Sequence, residues 1–205
     1  MTTKARTREE WLNNAILLLD PVFENLGAPL PAKIRVAIGF PSGGLRGKSV
    51  GECWDPSVSR DGCYEIFIRP DYEYPEPREN YDIQILATLV HELIHAALGL
   101  KEGHGTRFRR MAKTLSLEGK ATATYAGESF SEFIKPIVEK IGTMPHALML
   151  TDKDTSKSSR PKKQKARYLK CICAECGYTV RAVRKWLDIG APHCPLHGEM
   201  GLEDS

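Results

Sequence analysis

What this 205-residue sequence lacks narrows it first. The N-terminal MTTKARTREEWLNNAILLLD does not read as a leader. It is polar before its apolar part, that part is too short and interrupted to span a bilayer, and no small-residue cleavage site follows. The expectation is a cytoplasmic protein, nucleoid-associated at most, with no membrane partner. There is no internal repeat. The glycine-rich PSGGLRGKSVG lacks the Gly-Lys-Ser/Thr ending and spacing of a phosphate loop; Gly47-Lys48-Ser49 matches only in part and is discounted. Cysteine is sparse over most of the chain. Of six, only Cys53 and Cys63 precede the last thirty-five residues, which hold Cys171, Cys173, Cys176 and Cys194. In an intracellular chain that distribution argues for metal binding or free thiols, not a disulfide framework.

The hydrophobic share of 41% and charged share of 27% suit a globular protein with a sizeable core. The net charge of +3 conceals an asymmetry. Residues 151–170 hold eight Lys/Arg against two Asp, a local +6, which leaves the remainder near −3. Such a segment is either a solvated linker or an attachment point for a polyanion.

Along the chain, Thr7-x-x-Glu10 has the form of a capping box, and Trp11, Ala15, Leu18 and Val22 recur at helical spacing as a core face. Gly27 and the prolines of GAPLP end that helix. KIRVAIGF reads as a strand, and SVGECW and CYEIFIRP as two more, turning through Asp55-Pro56 and Asp61-Gly62. Cys53 and Cys63, one on each strand, read as buried thiols or as a cross-hairpin pair. From about Tyr81 to Leu98 the period is helical, with Leu86, Val90, Leu93, Ile94 and Ala97 as a stripe that packs on the sheet. Further helices are expected near 105–117 and 129–141.

On the central helix His91 and His95 lie one turn apart on one side, with Glu92 at the border of that side and the apolar stripe on the other flank. This is H-E-x-x-H, in which the histidines bind zinc and the glutamate is a general base. A catalytic zinc needs a third protein ligand, and His104, in Gly103-His104-Gly105 just past the helix end near Gly99, fits best; Glu102, before the turn, fits less well. A single helical histidine is usually structural. Here three of six histidines fall within fourteen residues, which favours a metal site.

HELIHAALGLKEGHGTRFRRMA, with the upstream GECW…YEIFIRP and the context ATLVHELIHA, resembles the core of the SprT-like (Spartan-type) zinc metallopeptidases. Their pattern is H-E-x-x-H, a variable stretch, then a third His in a Gly-His-Gly context. A metzincin pattern fits less well, because Leu98 stands where it has glycine and His104 comes too late. The resemblance covers about residues 5–140 and continues into the C-terminal cysteines. It implies His91, His95 and His104 as ligands of a catalytic zinc that polarises the scissile carbonyl, and Glu92 as the carboxylate that takes a proton from water and delivers it to the leaving amine. It also implies protein substrates that are DNA-bound or DNA-crosslinked. Tyr125 could be an oxyanion stabiliser by residue type only; the alternative is a buried core tyrosine. An exposed site needs a gate, for which the glycine-rich 41–51 loop is one option.

In the C-terminal region Cys173-x-x-Cys176 and Cys194-x-x-His197 are separated by seventeen residues, the spacing of a zinc ribbon with a closed, structural tetrahedron. So small a segment needs the metal to fold. Cys171 could substitute for Cys173 or Cys176, since C-x-C occurs in some ribbons of the resembled family, and His193 could replace His197. The final His departs from an all-cysteine ribbon. Two zinc ions per chain are expected. Lys162, Lys163, Lys165 and Arg167 of the linker, with Arg181, Arg184, Lys185 and Trp186 between the knuckles, read as a nucleic-acid contact, single-stranded DNA favoured. The alternative is a strand whose Trp186 packs the small core.

The expected architecture is α+β. A zincin-like metallopeptidase domain occupies 1–150, with a small antiparallel sheet and an active-site helix; a basic linker occupies 151–167 and a zinc ribbon 168–205. The expected function is zinc-dependent hydrolysis of DNA-associated proteins. The rival is a non-catalytic nucleic-acid-binding protein whose zinc sites are both structural.

Overall fold

A computed structural model describes residues 5–73, 81–145, 147–150 and 168–202. The fold is a mixed α+β one, with five helices and ten short strands among those residues. The chain divides into two compact units, Met1–Thr151 and Asp152–Ser205. Lys162, Lys163, Lys165 and Arg167, with the rest of the linker, lie outside the described residues.

The N-terminal unit begins with α1 (Arg8–Asn25). Thr7 Oγ1 accepts the Glu10 N–H at 3.0 Å, and Glu10 reaches back to the Arg6 N–H at 2.6 Å, so the expected box closes one residue early. Trp11 and Ala15 are buried as expected, but Leu18 and Val22 are only half-buried; Leu12, Leu19 and Phe23 take the core instead. Pro21 interrupts the apolar period without ending the helix. The carbonyl it leaves unpaired belongs to Leu17, 71% exposed and therefore open to water.

Three strands follow: β1 (Ile34–Ile38), β2 (Gly51–Trp54) and β3 (Tyr64–Ile68). Their order is β1-β3-β2, with β3 antiparallel to β2 but parallel to β1. The sheet is thus mixed, not antiparallel, because the β2–β3 hairpin returns β3 between its partner and the first strand. Cys53 faces Ile66 in register, and both early cysteines are free thiols, so the cross-hairpin pair is not formed.

The central helix α2 (Tyr81–Leu98) packs against β2 and β3. Its buried face is wider than the expected stripe, taking in Ile85, Leu89 and Ala96, because α1, α4 and the sheet all cover it. The remaining elements are α3 (Thr106–Thr114), the hairpin β4 (Leu117–Lys120) and β5 (Ala123–Ala126), and α4 (Glu128–Ile141). After α4 the chain straps back over the unit: Trp11 Nε1 donates to Gly142 O at 2.6 Å, Met144 N to Asp82 Oδ2 at 3.2 Å, and Met149 N to Pro70 O at 2.9 Å.

The glycine-rich loop is pinned rather than loose. Ser42 donates N–H and Oγ–H to Glu52 at 2.5 and 2.7 Å. Arg69, bidentate to Asp71 at 2.6 and 3.0 Å, donates to Gly47 O at 2.6 Å.

In the C-terminal unit β6 (Tyr168–Ile172) pairs antiparallel with β7 (Thr179–Val183) and with β10 (Gly201–Leu202). A turn of helix α5 (Arg184–Leu187) and the two-residue strands β8 (His193–Cys194) and β9 (Gly198–Glu199) complete it. Its buried residues are Cys171, Cys173, Cys194 and Met200. Four buried side chains cannot offset the ordering of some thirty-five residues, so a covalent or metal staple is needed. No helix among the described residues is long and apolar enough to cross a membrane.

Candidate metal centres

The first centre is built by α2 and the turn after it. His91 and His95 project together from the exposed side of α2, and Gly103, at φ +53°, reverses the chain so that His104 comes back over them. Gly105 is equally constrained: a Cβ there would run into Glu102, whose carboxylate accepts the Arg107 N–H at 3.0 Å to start α3. Glu102 is thereby a helix cap and not a ligand.

His104 Nε2 lies 3.2 Å from His91 Nε2 and 3.2 Å from His95 Nε2. Zinc–nitrogen bonds of about 2.0–2.1 Å at tetrahedral angles would hold such atoms roughly 3.3–3.4 Å apart, so the three nitrogens fit one ion. Phe108 of α3 supports all three rings, with centroids 4.5–4.8 Å away. Burial pushes His91 down to about 3 and His95 down to about 4, with neighbouring imidazoles adding to it, and also lowers His104. All three are neutral at pH 7, the form that binds a metal. No other described Cys, Asp, Glu or His joins this group.

Glu92 is 5% exposed and turned against β2. Burial, and then the charge of Glu52, push its carboxyl up to about 8, while the Cys53 N–H bonded to it acts in the opposite direction. The approach to β2 is so close that a Cβ on Gly51 would sit 2.5 Å from Glu92 Oε1 and 2.8 Å from Thr88 Cγ2. Beside it the Cys53 thiol is driven far above its ordinary range by burial, then by Glu92 and Asp55, and stays protonated.

These groups lie in a cleft of about 620 Å³, walled by Lys48–Cys53 on one side and by Thr122–Tyr125 of the β4–β5 hairpin on another. Tyr125 is 51% exposed and lines this cleft, so it is not the core tyrosine that its sequence context favours: it stands one residue before buried Ala126, and the strand's alternation turns it outward. Thr124 Oγ1 is 2.8 Å from His91 Nδ1. Neither Thr124 nor Gly51 carried a local signal in the sequence, since each acts through a partner distant along the chain.

The second centre brings together Cys173, Cys176, Cys194 and His197. Cys173 Sγ and Cys194 Sγ are each 3.6 Å from His197 Nδ1, and Cys176 Sγ is 3.6 Å from Cys194 Sγ. Bond lengths near 2.3 Å to sulfur and 2.0–2.1 Å to nitrogen give tetrahedral edges of about 3.6–3.8 Å. The backbone N–H groups of Cys176 and Glu175 draw the Cys173 thiol down, and those of Leu196 and His197 do the same for Cys194. Each knuckle ends on a glycine of positive φ, Gly177 at +73° and Gly198 at +86°. The repeated C-x-x-C-G and C-x-x-H-G was the readable signal for this pair. Cys171 is buried in the small core outside the four-atom group, and His193 is exposed on β8, so neither substitutes.

Arg181 is exposed on β7, and Arg184, Lys185 and Trp186 are exposed on α5. Trp186, at 57% exposure with Lys185 Nζ 4.8 Å from its ring, is a surface residue and does not fill the core, because the chain turns helical at Arg184 and carries it outward. The chain matches no protein-family model, no curated protein and no solved structure.

Proposed function

We propose that the N-terminal unit is a zincin-type zinc peptidase of the SprT-like kind, acting on proteins carried on DNA, and that the C-terminal unit is a structural zinc ribbon. The observation that carries this is the convergence of three imidazole nitrogens, with His104 Nε2 3.2 Å from each of the other two, beside a buried glutamate at the wall of an open cleft. A structural ion would call for a fourth protein ligand, and none stands with the three histidines among the described residues, whereas the C-terminal group has four.

His91, His95 and His104 would hold the metal, which when bound supplies Lewis-acid polarisation of a carbonyl and acidifies water. Glu92 accepts a proton from the attacking water and passes it to the departing amine. Its raised carboxyl is shifted in the direction that a proton acceptor and donor near neutrality needs. Gly51 and the Cys53 N–H hold that carboxylate against β2, and Thr124 holds His91. Tyr125, which lines the cleft, is the residue whose hydroxyl group would serve as a donor to developing negative charge. The exposed Arg181, Arg184, Lys185 and Trp186 support contact with single-stranded DNA by phosphate pairing and base stacking.

The test is zinc content together with hydrolysis of a protein substrate, with and without single-stranded DNA, for wild type and Glu92→Gln. Two zinc ions per chain and hydrolysis abolished by Glu92→Gln are expected. Hydrolysis by neither protein, with two zinc ions bound, would leave the rival reading, a non-catalytic binder with two structural ions, and equal hydrolysis by both would remove Glu92 from the chemistry.

A further inference from the structure

We infer that the outer face of α3 is a docking face for the phosphate backbone of nucleic acid, separate from the C-terminal unit. Arg107, Arg109, Arg110 and Lys113 are all exposed on this nine-residue helix, which contains no acidic residue. Among the described residues none of the four forms an ion pair; the one hydrogen bond from their side chains is Arg109 Nη2 to Thr106 Oγ1 at 3.4 Å, within the helix. A charged helix face is usually a solvated one, but then the signs are mixed. The exposed positions of α4 illustrate this, with Glu128, Glu132 and Glu139 against Lys135 and Lys140. A face of one sign whose side chains form no ion pair among the described residues repels itself unless an anion covers it. The one carboxylate at this helix, Glu102, is engaged by the Arg107 N–H at the helix start.

Arginine predominates, and its planar fork matches phosphate oxygens in pairs. Arg107, Arg110 and Lys113 follow at every third residue, each step rising roughly 4.5 Å and turning about 60°, so they spread along the outer arc of the helix opposite the buried Phe108, Met111 and Ala112. An anionic membrane fits less well. The apolar residues that would enter it, Phe108, Met111 and Ala112, are buried in the protein core. Phe108 in turn supports the three imidazoles. The docking face therefore lies about one helix diameter, roughly 10–12 Å, from the histidines, and a protein attached to the bound strand is held near the cleft.

The inference needs no hydrolysis and no contact by the C-terminal unit, so it stands or falls apart from the peptidase reading. Full-length wild type, an R107Q/R110Q/K113Q variant and an R181Q/R184Q/K185Q variant are titrated with a labelled oligothymidylate over a range of salt. Zinc content and thermal melts establish that each variant is folded. The α3 variant is expected to bind at least ~10-fold more weakly at low salt, with the slope of log K against log salt reduced by roughly 2, three contacts at about 0.7 each. An unchanged affinity and slope would overturn the inference. So would a loss of binding to phosphatidylserine vesicles without loss of oligothymidylate binding. If the variant does not fold, wild type is treated with phenylglyoxal. Protection of Arg107, Arg109 and Arg110 by oligothymidylate supports the docking face, and unprotected arginines overturn it.

Discussion

Thr124 Oγ1 stands 2.8 Å from His91 Nδ1, linking the hairpin that walls the cleft to the first histidine of the central helix. With Nδ1–H donating to that oxygen, the lone pair of the imidazole is left on Nε2, the atom that faces His104. Thr124→Val removes the acceptor and keeps the shape. We expect zinc affinity, measured by chelator competition, to fall about 10–100-fold with an unchanged melt, and Thr124→Ser to restore it.

Glu92→Gln preserves the volume of the buried side chain and an acceptor for the Cys53 N–H. Zinc content should be unchanged while peptide hydrolysis falls by roughly 10²–10⁴-fold, measured at saturating substrate. Loss of zinc alongside activity would mean that the glutamate acts by holding the fold.

Gly51→Ala places a methyl group 2.5 Å from Glu92 Oε1. The atoms it meets are all side-chain atoms of α2, and the burial of Glu92 leaves that side chain little room to yield. Overpacking of this kind costs about 1–3 kcal/mol. The melt should drop accordingly, and kcat should fall more than zinc content does, because the displaced group is the carboxylate and not a ligand.

Asp82, at the start of α2, accepts the Met144 N–H of the strap, yet burial raises its carboxyl above the ordinary 3.8. The folded state thus prefers the protonated form. Its contribution is full below the ordinary carboxylate value and is lost as pH rises through the folded-state value. Asp82→Asn keeps an acceptor and removes the charge. Melts from pH 3 to 7 should show the variant gaining on wild type as pH rises.

Cys194→Ser opens the tetrahedron of the C-terminal unit. One zinc ion per chain should remain, and amide spectra should show the loss of dispersed signals from residues 168–202 alone.

Much of the first centre was legible because its three histidines are local. His91 and His95 share a helix turn, and His104 follows after a glycine-permitted reversal, so short-range geometry alone gathers them. The same holds for the two knuckles, each closed within five residues. The register of α1 was less legible. Leu12, Leu19 and Phe23 won the core over Leu18 and Val22 because packing against β1 and α4, not periodicity, chose the buried side.

By itself the sequence determined the helix that bears the histidines, the turn that returns the third, and the spacing of the three cysteines and one histidine gathered in the C-terminal unit. These depend on backbone geometry over a few residues. Tertiary structure alone decided what surrounds them: Gly51 pressed on Glu92 from forty-one residues away, Thr124 bonded to His91, Tyr125 turned into the cleft, and β3 placed parallel to β1. Such contacts join segments whose separation along the chain carries no record of their distance in space, and only the packing of the core sets it.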